Sequence, residues 1–251
     1  MTDKKPAQEP QLPKRFYKDV SVEAVGSQGG DAAGFAVLLD GRSLKTPGKN
    51  PLVLPNEGLA ELVADEWRAQ ADYINPATMP VTKLANSAID GIVGREAEVA
   101  ADIVAFAGSD LLCYRADSPV ELVKRQADVW NPVLAWAKEK FGANFILAEG
   151  VMPVAQPEET LAAFAKELSD LSALQIGALH VLTTLSGSAV LALAHARGVL
   201  NSHAAWAAAH IDEDFQIEQW GADAEAAERR EKRWAEFEAA SRILAMSEAG
   251  T

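Results

Sequence analysis

Near residue 80 the apolar period of this chain changes from two to about three and a half, and that change limits the fold more than any other feature. Before it, Val20, Val22 and Ala24 alternate with polar residues, and Phe35, Val37 and Leu39 do so again. Alternation of this kind marks strands with one buried face. Between the two runs lies a glycine-rich break, Gly26 to Gly34. Asp40-Gly41 then signals a tight hairpin, because both central positions of such a turn need positive φ. Leu44 enters a return strand that stops at Thr46-Pro47-Gly48, and Leu52-Val53-Leu54 forms a further short run. The expected product is a small antiparallel sheet, followed by a helix bearing Leu59, Leu62, Val63 and Trp67 on one face and capped by Asn56.

Helical spacing holds for the rest. Leu84, Ala88, Ile89, Ile92 and Val93 form one stripe. Ser118-Pro119-Val120-Glu121 has the form of a capping box with proline at the first helical position. The helix it opens carries Leu122, Gln126, Trp130 and Val133 and should kink at Pro132. Further helices are expected over 157–171, 174–185, 188–196 and 202–219, with a long charged one over about 224–245. Residues 176–200 are apolar nearly all round, as in a helix at the centre of a bundle. The fold class is therefore α+β: an N-terminal sheet-and-helix domain over 1–82, then an all-helical domain over 83–251.

Composition removes several classes of function. Acidic residues outnumber basic ones 36 to 23, for a net charge of -13. Such a chain is repelled by phosphate backbones and anionic lipid, so neither nucleic-acid binding nor membrane insertion is expected. No apolar run approaches the roughly 20 residues that cross a bilayer. The charge serves solubility alone or an acidic face that meets a basic partner. A single cysteine, Cys113, excludes an internal disulfide and a cysteine-based zinc site, and its apolar neighbours suit an inert buried thiol. Residues 1–13 have neither the apolar stretch of a signal peptide nor the Arg-rich pattern of a presequence, which points to the cytoplasm of a bacterium.

Motifs for chemistry are lacking. The closest approach to a P-loop, Gly41 to Gly48-Lys49-Asn50, has six intervening residues and Asn in place of the metal-binding hydroxyl. Ser186-Gly187-Ser188 is not a nucleophile elbow. His180 and His195 lie in apolar helices and read as core histidines. His210 and Glu213 are three residues apart, two ligands where a metal needs more. No catalytic residue, cofactor or metal site is assigned.

Asp212 to Glu238 is different. Ten acidic residues face four basic ones there, close to half of the chain's whole excess, with Phe215, Trp220, Trp234 and Phe237 interleaved. Trp206, His210, Glu213, Ile217 and Trp220 step by four and three, which places Glu213 on an apolar seam. A carboxylate there needs a partner. That partner is a cation on the neighbouring helix or one on another protein.

Five segments carry a resemblance to a known family. They are Arg15-Phe16-Tyr17; Met79 to Asp90 (MPVTKLANSAID); Asp110 to Arg115 (DLLCYR); Gln126 with Trp130-Asn131-Pro132 and Trp136-Ala137; and Asp212 to Gly221 (DEDFQIEQWG). In this order they resemble the ATP synthase alpha-subunit assembly chaperones. The resemblance implies a non-catalytic protein that binds the unassembled alpha subunit of the synthase head and promotes head assembly. It implies that the functional acid is Asp212 or Glu213, and that Gln216, Glu218 and Trp220 belong to the same partner-binding surface. Charge reversal at Asp212 or Glu213 is then expected to weaken capture without unfolding the chain. Two alternatives stand beside it: a small-molecule or metal-binding enzyme with its site between the two domains, and a structural subunit of a permanent complex.

Overall fold

A computed structural model describes residues 12–26, 33–149 and 154–248. Most of the expected glycine-rich break (27–32) and the chain before residue 12 lie outside them.

The sheet is built around β2 (Gly34–Leu39). β1 (Val20–Val25) pairs with it antiparallel, Val20 opposite Leu39 and Val25 opposite Gly34. At Asp40 (φ 48) and Gly41 (φ 76) the chain reverses into β3 (Arg42–Ser43), the positive-φ pair that the Asp-Gly signal demands. The Asp40 carboxylate also accepts from the amides of Lys18 and Asp19, at 3.0 and 2.9 Å, and so fixes the start of β1. β4 (Val53–Leu54) pairs with the other end of β2, Phe35 opposite Leu54.

α1 (Glu57–Arg68) begins as expected: Asn56 Oδ1 accepts from the Leu59 amide at 2.9 Å. The same side chain donates through Nδ2 to the Met246 carbonyl, 2.9 Å away and 190 residues later. Asn56→Ala is therefore expected to cost about 1–2 kcal/mol in a urea melt, with Asn56→Ser recovering most of the cap.

Two carboxylates then tie segments together over distance. Glu66 accepts from the Val81 and Thr82 amides, both at 2.7 Å, and so caps α2 (Pro80–Ser87) from the side. α2 runs into a π-helical turn, Ala88–Ile92. In that turn Asp90 accepts from Thr46 Oγ1, the Gly48 amide and Asn50 Nδ2 at 2.5–2.8 Å. A Cβ on Gly48 would stand 2.6 Å from that carboxylate. The segment nearest to a P-loop is thus a turn whose donors are bound to Asp90.

Helices make up most of the remainder: α3 (Glu96–Ala107), α4 (Val120–Phe141), α5 (Glu158–Lys166), α6 (Ala173–Ser186), α7 (Ala189–Ala196), α8 (Ser202–Ala209), α9 (Ile211–Trp220) and α10 (Ala224–Glu248). β5 (Tyr114–Arg115) and β6 (Ala148–Glu149) form a short parallel pair. α6 is central and packs on α10, α7, α3 and α2, as its all-round apolar surface requires. One buried apolar cluster extends from Val37, Leu52 and Leu59 to Leu191, Phe237 and Leu244.

Two expectations are corrected. The capping box at Ser118 does not form: the helix starts one residue later with Pro119 at its N-cap, and Ser118 Oγ donates to Asp117 instead. The single helix expected over 202–219 is two, broken at His210. There the His210 ring donates through Nδ1 to the Trp206 carbonyl at 2.7 Å, occupying the acceptor its own amide would use in a continuing helix. Its amide goes to Ala207 instead, and α8 ends.

Candidate protein-binding face

The acidic segment folds as α9, docked on α4 and flanked by α10. Ile211 and Phe215 are its buried anchors, four residues apart. Asp212, Glu213 and Asp214 fill its first turn, where the helix dipole favours negative charge.

Most of the carboxylates prove to have partners within the chain. Asp212 Oδ1 accepts from Gln126 Nε2 at 2.7 Å, and Gln126 is itself buried, its Oε1 accepting from the Ala116 amide. Asp214 is bound by Arg230 of α10. Glu218 meets the Arg125 guanidinium as a two-pronged pair, at 2.7 and 2.8 Å, and that hydrogen bonding holds its carboxyl below the usual glutamate range. Arg125 also lies over the Phe215 ring, 5.3 Å from its centre.

Glu213 is the exception. Among the described residues, the one basic group within 4 Å of its carboxylate is His210 Nε2, at 3.9 Å, while Arg230, bonded to Asp214, acts on it only by charge from farther off. Burial pulls the His210 imidazole below its ordinary pKa, so at neutral pH the ring is uncharged and gives no ion pair. The Glu213 side chain is 38% exposed. Gln216 is exposed too, and Trp220 stands 88% exposed at the end of the helix. Spacings of three and four put Glu213, Gln216 and Trp220 on one stripe of α9. No hydrogen bond engages these three side chains among the described residues. The apolar seam read from the sequence thus ends before Trp220.

Elsewhere, the residues with chemical potential are structural. Cys113 is buried and its thiol is pushed up to about 12, by burial first and then by the charge of Asp110, so it stays protonated and unreactive. His195 donates through Nδ1 to the Leu200 carbonyl and receives the Ser241 hydroxyl at Nε2, 2.7 Å away. Gly187 (φ 71) ends α6 and Ser188 caps α7. His180 lies beside a mainly apolar cleft of about 310 Å³ between α2, α3 and α6, with Asp102 and the Lys83–Glu236 pair at its rim. No group of three metal-ligating side chains occurs among the described residues. Nor is any helix long and apolar enough to cross a membrane.

Sequence reasoning missed Asp110, the one carboxylate residue fully buried among the described residues. It accepts from Ser188 Oγ (2.7 Å) and from the amides of Leu112 and Val190 (both 3.0 Å). An acid set among Leu and Cys was the available signal, since it must find donors to stay inside.

The chain as a whole is similar to known proteins. Residues 14–138 match the model of the ATP12 chaperone protein family. The mitochondrial atp12 protein of Schizosaccharomyces pombe is 26% identical over 220 residues, 83% of this chain and 74% of its own. Among solved structures, the Atu1473 protein of Agrobacterium tumefaciens shares 52% identity over 93% of this chain and 85% of that one, with a TM-score of 0.88. Atp12 from Paracoccus denitrificans shares 41% identity over 92% and 97%, with a TM-score of 0.84.

Proposed function

Since this chain belongs to the ATP12 chaperone family, we propose that it holds the unassembled alpha subunit of the F-type ATP synthase head until assembly, in the cytoplasm of a bacterium. The family is one of chaperones rather than enzymes, in keeping with a chain whose polar groups are engaged in holding its own elements together.

What most supports this reading is the stripe Glu213–Gln216–Trp220. Its neighbours on α9 are bound to α4 and α10, while these three side chains make no hydrogen bond among the described residues. A large exposed aromatic beside a carboxylate without a salt bridge is a fitting anchor for an apolar surface edged with Arg or Lys. An unassembled subunit presents such a surface and aggregates through it. The carboxylate then speeds encounter and selects the partner, and apolar contact around Trp220 supplies affinity.

The test is capture from native lysate. The tagged chain is expected to recover the alpha subunit without the beta subunit, and to recover less as salt rises from 50 to 300 mM. Recovery of no synthase subunit at either salt would overturn the assignment of the client.

A further inference from the structure

His210 is buried at the junction of α8 and α9, with 5% exposure. Its Nδ1 lies 2.7 Å from the Trp206 carbonyl oxygen. A carbonyl only accepts, so Nδ1 carries the hydrogen and the neutral ring presents a lone pair at Nε2. That nitrogen faces Glu213 Oε2 at 3.9 Å. A lone pair and a carboxylate make no bond; the two can join only when Nε2 gains a proton.

The other groups around the ring are accounted for. α10 contributes Arg230, held by Asp214, and Arg233, which donates to the Leu185 carbonyl. α8 contributes Trp206, whose ring centre is 4.0 Å away, and carries His203, stacked on Trp234. α4 brings the neutral Gln126, bound to Asp212. Burial, Arg230 and Arg233 oppose protonation of His210, whereas the Trp206 carbonyl and Glu213 favour it. Glu213 alone among these carboxylates makes no hydrogen bond to a cation, although the Arg230 charge, bonded to Asp214, also acts on it.

We propose that His210 is a proton-operated latch on Glu213: the neutral imidazole leaves the carboxylate open to a partner's cation, and the imidazolium draws it into an ion pair within the chain. Glu213 would thus be available at neutral pH and withdrawn in mild acid. The consequence for capture rests on α9 being the client-binding face; the latch itself does not.

Two arms keep these apart. In the first, the His210 ring is followed by NMR from pH 5 to 8 in the isolated wild-type chain and in Glu213→Gln, which retains the bond that ends α8. Loss of the carboxylate is expected to lower the His210 midpoint by about half a pH unit, with a smaller change in Glu218→Gln. Equal midpoints in wild type and Glu213→Gln would overturn the latch. In the second arm, capture of the alpha subunit is compared at pH 7.5 and 5.5. Wild type should lose about threefold or more in acid, and Glu213→Gln should respond less. An equal response of both proteins would overturn the regulatory role. Failure of wild type to capture at either pH would count against the client assignment, leaving the NMR arm to decide the latch.

Discussion

Asp110→Ala is expected to destabilise the protein by about 3 kcal/mol or more, because it strips the acceptor from several buried donors at once. The carboxylate is fully buried and receives the Ser188 hydroxyl and the amides of Leu112 and Val190. It thereby holds the start of α7, 80 residues away along the chain, against the turn that follows α3. Asp110→Asn keeps the shape and one accepting oxygen and should cost less. Burial also pushes the Asp110 carboxyl up to about 6 from its ordinary value of 3.8. The native chain therefore binds this proton more tightly than the unfolded chain does. Asp110's contribution should fall as pH rises from 3.8 to 6, by about 3 kcal/mol in all. Urea melts of wild type and Asp110→Asn across pH 4 to 7 measure that term as the change in their difference. A difference that stayed constant over the window would show that the donors around the carboxylate offset its burial.

Glu213→Lys carries the largest expected effect on function: a loss of capture of about tenfold or more, with a cooperative melt retained. The carboxylate is partly exposed and makes no hydrogen bond among the described residues, so reversing its charge breaks no bond of the fold and costs about 0.3–1 kcal/mol through the helix dipole. The neighbouring reversals should behave differently. Asp212→Lys would place an ammonium against the amide group of buried Gln126, and Glu218→Lys would face Arg125. The sequence alone assigned Asp212 and Glu213 the same outcome; the bond to Gln126 adds a stability cost at Asp212. Unfolding of Glu213→Lys would mean instead that this acid supports the structure.

Local signals account for most of what the sequence revealed. Asp40-Gly41, the Asn56 cap and the apolar surfaces of α6 and α7 are each specified by residues within a turn or two of one another, and each is present as read. Expectations failed where a side chain changed its hydrogen-bonding partner. Ser118 donates to Asp117 rather than to its helix, and His210 donates to a carbonyl that a continuous helix would have used. Glu66, Asp90 and Asp110 were unreadable as clasps because all their donors but the Leu112 amide lie 15 to 80 residues away. The site was legible as a cluster of acids, but not which acid is open. That depends on Gln126 and Arg125, about ninety residues earlier on α4, and on Arg230, which lies on the next helix. Recognisable segments and the candidate site also differ in role: Asp90, Asp110, Gln126 and Trp130 all hold the fold.

α10 supplies Phe237, Ile243 and Leu244 to the same buried cluster as Val37 and Leu59, and its Met246 carbonyl receives Asn56. During synthesis, the early sheet and α1 therefore emerge from the ribosome long before the surface that covers them. A chain translated at about 5–20 residues per second leaves those early elements uncovered for on the order of ten seconds or more. A protein proposed to guard the unfinished surface of another thus passes through an exposed state of its own, which ends only when residues near 237–246 are free to pack.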